Sequence, residues 1–135
     1  MMALRLAARR PLVRQQLLSP ASVVLRRSLA TVKICGDEAA FASAKDNAAG
    51  SVVYFTASWC GPCRMISPVY EELAAGAADD KVFLKVDVDD QAEVSQDAGI
   101  SAMPTFHFYK GGKLVDKIVG ADVAKLESLT KTHLG

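Results

Sequence analysis

The sequence has too little of several residue types to belong to some common protein classes. Its 135 residues include 3 cysteines, 5 prolines and 9 glycines, which excludes disulfide-scaffold, collagen-like and low-complexity chains. No apolar run approaches the roughly 18 residues that a membrane-spanning helix requires. With 50% hydrophobic and 23% charged residues, the composition predicts one globular domain.

Acidic residues are missing from the first part of the chain. Residues 1–36 carry seven basic side chains and no acidic one, and all 15 acidic residues lie from Asp37 onward. When the six arginines of this part are taken from the 16 basic residues, 10 remain against 15 acidic ones. A mildly acidic domain lacks the basic face that nucleic acids require, so no nucleic-acid partner is expected.

Residues 1–30 have the composition of a targeting sequence. Arginine alternates there with leucine, alanine and valine, as in an organelle transit peptide, and interrupts the apolar stretch that a secretory signal needs. A basic tail and an arm that binds nucleic acid or anionic lipid are the alternatives. We expect a transit peptide that is cleaved near residues 28–31 and directs import into the mitochondrial matrix, with the chloroplast as the alternative.

From residue 31 to residue 135 the chain alternates strand and helix signals. The run 51–57 (SVVYFTA) is typical of a strand buried on both faces. Asp37 and Asp122 are suited to cap helices, and residues 110–112 (KGG) are suited to join two strands in a hairpin. The order βαβαβαββα predicts an α/β fold with about five strands, the central ones parallel, and helices on both faces.

Two cysteines, Cys60 and Cys63, follow the buried strand where a helix is predicted to begin. The partial positive charge of a helix N-terminus favours the reactive thiolate of Cys60, whereas Cys63 lies one turn further in. The three-residue offset places both sulfurs on one side of that turn, close enough to bridge. The pattern predicts thiol–disulfide exchange, in which Cys60 attacks a disulfide and Cys63 displaces the reduced product.

Two other interpretations of the cysteine pair fit the sequence less well. Half a zinc site would need two more ligands, but Cys35, His107 and His133 form no second pair at a suitable spacing. A purely structural disulfide is disfavoured by its position at a helix start within an α/β domain. Without these further zinc ligands a bound metal is not expected. No glycine-rich nucleotide motif is present, so bound NADPH and flavin are not expected and electrons must come from a partner.

Four motifs in order resemble the thioredoxin family. The run 55–64 (FTASWCGPCR) resembles its active site, and the run 99–105 (GISAMPT) resembles its cis-proline loop. Residues 110–112 and 119–121 match its hairpin and its last loop, so that the similarity extends over about residues 32–134. The resemblance implies the thioredoxin fold.

The resemblance also implies roles for individual residues. Cys60 would be the nucleophile and Cys63 the resolving cysteine of a redox-active disulfide. A cis peptide bond between Met103 and Pro104 would face the sulfurs, and the Met103 backbone would pair with an extended substrate strand. The docking surface for substrates would comprise Trp59, Gly61, Pro62, Met103, Pro104 and Gly120.

The Gly-Pro pair between the cysteines resembles the reducing members of the family. The resemblance therefore implies a general protein-disulfide reductase, monomeric and re-reduced by an NADPH-dependent thioredoxin reductase. Its targets would be disulfides of peroxiredoxins and metabolic enzymes. The alternative function is a binding role for the same cysteines, either bridging an iron–sulfur cluster or sensing redox state.

The sequence departs from the family at Tyr54, because most thioredoxins place a buried aspartate six residues before the nucleophile. Lys85, which corresponds to the family's partner lysine, thereby loses its usual carboxylate. Tyr54 and Lys85 are the candidates for proton transfer. The tyrosine, followed by Phe55 and Thr56, is similar to the mitochondrial o-type thioredoxins of plants and algae.

Five further residues attract attention without indicating a site. Cys35 is expected to be a bystander, with glutathionylation or intermolecular pairing as the alternative. The aspartates at 87, 89 and 90 are expected to form a solvated strand end, because the glycine and distal glutamate of a calcium loop are missing. His107 is expected to lie on a strand with one polar face and to have no catalytic role.

Overall fold

The computed structural model describes residues 30–135, so the predicted transit peptide lies outside the described residues except for its last position. The element order agrees with the predicted βαβαβαββα, and most boundaries agree within one or two residues. The elements are β1 (Val32–Ile34), α1 (Glu38–Lys45), β2 (Ser51–Thr56), α2 (Gly61–Ala75), β3 (Val82–Asp87), α3 (Ala92–Asp97), β4 (Thr105–Lys110), β5 (Lys113–Val119) and α4 (Val123–Leu134).

The five strands form one mixed sheet in the order β1-β3-β2-β4-β5. Strands β1, β3 and β2 are parallel, whereas β4 runs antiparallel to both β2 and β5. Strand β2 lies at the centre and all six of its residues are buried, as the continuous apolar run predicts. Because β2 and β3 are parallel, their carboxyl ends meet at one edge of the sheet, and α2 begins at that edge.

Two hydrophobic cores lie on opposite faces of the sheet. The core under α2 and α4 includes Tyr54, Tyr70 and Phe106, and the rings of Tyr54 and Phe106 stack at 4.7 Å. The core under α1 and α3 is built around Phe41 and Phe55. The two faces are thus closed by different helices, and only the first core contains the paired cysteines.

Helix starts follow the predicted caps. The Asp37 carboxylate accepts from the Ala40 backbone N–H at 2.8 Å, and the Asp122 carboxylate accepts from Lys125 at 3.0 Å. Each bond satisfies one backbone donor that has no partner within its helix. Among residues 30–135, no helix combines the length and apolar character needed to cross a membrane.

The predicted polar face of β4 is wrong, because residues Thr105–Tyr109 are all buried. Strand β4 lies between β2 and β5 with a core on each face, so His107 is enclosed as well. Its Nδ1 lies 2.9 Å from the Tyr109 hydroxyl, and its ring packs edge-on against Phe55. Burial, together with the charge of Lys117, lowers the pKa of His107 to about 4.

The neutral His107 makes stability depend on pH in a defined direction. The pKa of this histidine is about 4 in the folded protein and 6.5 as an ordinary value, so between these values the unfolded chain binds more protons. Stability therefore falls as the pH is lowered through this window, by an amount on the order of 2 kcal/mol. Urea unfolding near pH 7 and pH 4.5 measures the loss. We expect a smaller loss in His107→Gln, and an equal loss in both proteins would contradict the assignment.

Candidate functional site

Cys60 and Cys63 lie at the junction between β2 and α2, and they form a disulfide with their Cα atoms 5.3 Å apart. Cys60 is the N-cap of α2, and its sulfur accepts the Cys63 backbone N–H at 3.2 Å. Pro62 occupies the first turn, where a missing N–H leaves no helical bond unmade. A thiolate at Cys60 would face the same N–H and the positive end of the helix.

Both cysteines are nearly enclosed by the protein. Cys60 is 4% exposed and Cys63, one turn further into the helix, is 2% exposed. The residues that flank them are open to solvent: Trp59 is 64% exposed, and Gly61 and Pro62 are exposed as well. These exposed residues belong to the docking surface predicted from the sequence.

Trp59 is held in place by a hydrogen bond across the site. Its indole N–H donates to the Asp89 carboxylate at 2.9 Å. Asp89 follows β3, so this bond links the loop before α2 to the end of the neighbouring strand. The contact orients an exposed aromatic ring beside the disulfide.

The loop before β4 completes the predicted docking surface. The Met103–Pro104 peptide bond is cis, and Met103 packs against the core that contains both cysteines. Pro104 is buried and Met103 half-buried, so Pro104 supports the surface from below. The Gly120 N–H donates to the Pro104 carbonyl at 2.8 Å, which ties the last loop to the proline loop. Gly120 has a φ of 108°, a conformation that favours glycine.

Tyr54 contacts the backbone of Cys63. Its buried hydroxyl donates to the Cys63 carbonyl at 3.0 Å and lies 2.8 Å from the Ser67 hydroxyl. The Ser67 hydroxyl lies 2.8 Å from the same carbonyl. The Tyr54 hydroxyl, the Ser67 hydroxyl and the Cys63 carbonyl therefore all lie within hydrogen-bond distance of one another. Tyr54, a predicted candidate for proton transfer, is thus held at the backbone of Cys63.

Lys85 lies on β3 opposite Tyr54 and lines a cavity of about 230 Å³ that reaches Cys63. A smaller cavity of about 90 Å³ lies on the side of Tyr54, and Lys85 and Ser67 line both cavities. The candidate lysine therefore lines the same cavity as Cys63. The walls of the larger cavity are formed by Thr56, Ala57, Ser58, Cys63, Arg64, Ser67, Lys85 and Asp87.

Sequence reasoning missed Ser67, Asp87 and Asp89 as residues of the site. The aspartates were expected to form a solvated strand end, and Asp89 and Asp90 are indeed exposed. Asp87, however, is half-buried in the cavity wall, and Asp89 also binds Trp59. A signal was available for Asp87. Because it follows Lys85 by two residues on one strand, the two side chains share a face at the carboxyl edge of the sheet.

Cys35 lies just after β1 in the core on the opposite face of the sheet from the paired cysteines. It is buried, its Sγ donates to the Asp37 carbonyl at 3.2 Å, and burial raises the pKa of its thiol. These features disfavour thiolate chemistry and agree with the expected bystander role. Within residues 30–135, no three His, Cys, Asp or Glu side chains are grouped to hold a metal ion.

Comparison with known proteins decides the family, because the thioredoxin family model matches residues 32–132. The chain belongs to the thioredoxin family. It is 50% identical over 96 residues to an H-type thioredoxin of Chlamydomonas reinhardtii, covering 71% of this chain and 85% of that protein. It is 52% identical over 83 residues to a thioredoxin of Malassezia sympodialis, covering 61% and 79%.

Solved thioredoxin structures are similar over most of the chain. The Malassezia sympodialis thioredoxin superposes with a TM-score of 0.73 at 40% identity, covering 81% of this chain and 95% of that one. Oxidised thioredoxin O2 of Arabidopsis thaliana gives a TM-score of 0.70 at 39% identity, covering 78% and 96%. The predicted thioredoxin fold and protein-disulfide oxidoreductase activity are confirmed. The cluster-bridging alternative is not favoured.

Proposed function

We propose that this thioredoxin is a general protein-disulfide reductase that receives its electrons from NADPH through a thioredoxin reductase. The observation that carries the proposal is the Cys60–Cys63 disulfide at the start of α2, next to the cis Met103–Pro104 loop. The Gly-Pro pair between the cysteines supports reduction as the direction of exchange. A separate reductase supplies the electrons because the chain carries no nucleotide-binding motif.

In the proposed reaction the reduced protein attacks a substrate disulfide in two steps. The Cys60 thiolate forms a bond to one substrate sulfur, and the other substrate sulfur leaves as a thiolate. Cys63 then loses its proton and attacks Cys60 Sγ, which forms the Cys60–Cys63 bond and breaks the mixed disulfide. Two electrons and two protons pass in total to the substrate, which leaves as a dithiol.

The substrate would bind as an extended strand beside the proline loop. Its backbone would pair with Met103, and its neighbouring side chains would rest on Trp59, Gly61 and Pro62. Because the backbone and a mainly apolar surface provide these contacts, many sequences fit. We propose disulfides of peroxiredoxins and metabolic enzymes as the targets, with the protein acting as a monomer.

We further propose that the protein is an o-type thioredoxin of the mitochondrial matrix. The acid-free arginine-rich composition of residues 1–30 supports import. Tyr54 followed by Phe55 and Thr56 supports the o type, and thioredoxin O2 is among the similar structures. The chloroplast is the alternative compartment, where a ferredoxin-linked reductase would replace the NADPH-dependent one.

The compartment is tested by fusing residues 1–36 to a fluorescent protein in an algal or plant cell. We expect mitochondrial fluorescence, because arginine-rich amphipathic leaders are imported there. The matched control replaces Arg5, Arg9, Arg10 and Arg14 with glutamine and should leave the reporter in the cytosol. Plastid fluorescence, or a cytosolic signal from the unaltered fusion, would contradict the proposal.

The activity and its electron source are tested by reduction of insulin disulfides with the full chain. With NADPH and a thioredoxin reductase we expect turnover that Cys60→Ser abolishes, because the attacking sulfur is lost. Cys35→Ser is the control and should retain turnover.

Turnover with dithiothreitol, but none with NADPH and the reductase, would confirm exchange and contradict the NADPH-dependent reductase as donor. Inactivity with both donors would contradict the whole proposal.

A further inference from the structure

We propose that Asp87 accepts the proton of the Cys63 thiol when Cys63 resolves the mixed disulfide, through water in the cavity that the two residues share. The inference rests on disulfide exchange at Cys60 and Cys63 and adds a residue to it. Asp87 has no assigned role in that exchange, and the position where the family usually carries an acid is occupied by Tyr54.

The resolving step needs a proton acceptor because a thiolate, not a thiol, attacks the mixed disulfide. A cysteine thiol ordinarily has a pKa of about 8.5, so near neutral pH Cys63 has to lose a proton as it reacts. Tyr54 does not meet this need, since its hydroxyl donates to the Cys63 carbonyl and contacts Ser67.

The strand register places Asp87 closer than Tyr54 to the edge of the sheet where α2 begins. Tyr54 pairs with Lys85 on β3, and Thr56, two residues further toward α2, pairs with Asp87. Asp87 and Cys63 both line the cavity of about 230 Å³. Such a volume holds several water molecules, and a charged and polar wall provides hydrogen-bond partners for them. A carboxylate can therefore take a proton from Cys63 through water.

The charged groups around the cavity fit this step. Lys85 on β3 and Arg64 on α2 share the wall with Asp87, and the Arg64 guanidinium also donates to the Ser58 carbonyl at 3.2 Å. Both cations stabilise a thiolate that forms at Cys63. The neighbouring acids lie elsewhere, because Asp89 binds Trp59 and Asp90 is exposed. Asp87 is thus the one carboxylate in the described wall of this cavity.

In the proposed step the Cys63 S–H bond breaks, and its proton passes to a cavity water and on to the Asp87 carboxylate. The sulfur electron pair forms the bond to Cys60 Sγ, and the pair of the mixed disulfide leaves on the substrate sulfur. That sulfur takes a proton from solvent, and Asp87 returns its proton to solvent. No further oxidant or reductant is needed.

The substitution Asp87→Asn separates this role from a structural one. Asp87 Oδ1 accepts the backbone N–H groups of Asp89 and Asp90 at 2.9 and 3.3 Å. Asparagine keeps an oxygen for both bonds but is not a base at these pH values. The control is Asp90→Asn, which removes an exposed carboxylate from the same turn.

The two chemical steps are measured separately with 5,5′-dithiobis(2-nitrobenzoic acid) in single-turnover stopped flow. Reduced full chain, carrying Cys35→Ser throughout, releases one chromophore when Cys60 attacks and a second when Cys63 resolves. We expect Asp87→Asn to slow the second release by about a hundredfold near pH 6, the low end of the range for general acid–base catalysis. The effect should vanish near pH 9, where the thiol ionises unaided, and the first release should be unchanged.

The possible results bear on the proposal in different ways. If the negative charge of Asp87 acted only by opposing the thiolate, Asp87→Asn would speed the second release at low pH, which would overturn the proposal. If Asp87→Asn slowed both releases equally, the effect would be a general structural one and the proposal would be overturned. The same holds if Asp90→Asn slowed the second release as much as Asp87→Asn does. A wild type without a second release would contradict disulfide exchange itself.

Tyr54→Phe should leave the midpoint of the pH profile of the second release unaltered. A shifted midpoint would assign proton transfer to Tyr54 instead.

Discussion

The junction between β2 and α2 fixes the positions of both sulfurs. Strand β2 is buried along its whole length at the centre of the sheet, and four residues separate its last residue from the first residue of α2. Cys60 therefore caps the helix and Cys63 lies in its first turn, with little freedom for either side chain. The chemistry depends on this constraint, because a helix N-terminus stabilises negative charge on the sulfur that it faces.

Tyr54 connects the hydrophobic core to this junction. Its ring stacks on Phe106 and packs against Tyr70, and its hydroxyl helps to hold the Cys63 carbonyl. A carboxylate in this place would lie among aromatic rings and would need a partner to offset its desolvation. Tyrosine instead completes the core and satisfies a polar group at the start of α2. The charged groups beside Cys63 are then Lys85, Asp87 and Arg64, on β3 and α2.

Much of the fold follows from local signals in the sequence. The buried run of β2 and the caps Asp37 and Asp122 have the structures predicted for them, because a strand's apolar pattern and a cap's side chain act over short distances. The burial of His107 was mispredicted, because it depends on β5 and on helices on both faces. The roles of Ser67, Asp87 and Asp89 escaped prediction for the same reason, since each depends on contacts between elements that are distant in sequence.

The identity of the attacking sulfur is the central claim, and trapping the mixed disulfide tests it most directly. The full chain with Cys63→Ser is incubated with a peptide disulfide, digested without reductant and analysed by mass spectrometry. The account predicts that the peptide is attached to Cys60 and that the double variant Cys60→Ser, Cys63→Ser carries none. Attachment to Cys35, or no attachment in the Cys63→Ser protein, would contradict it.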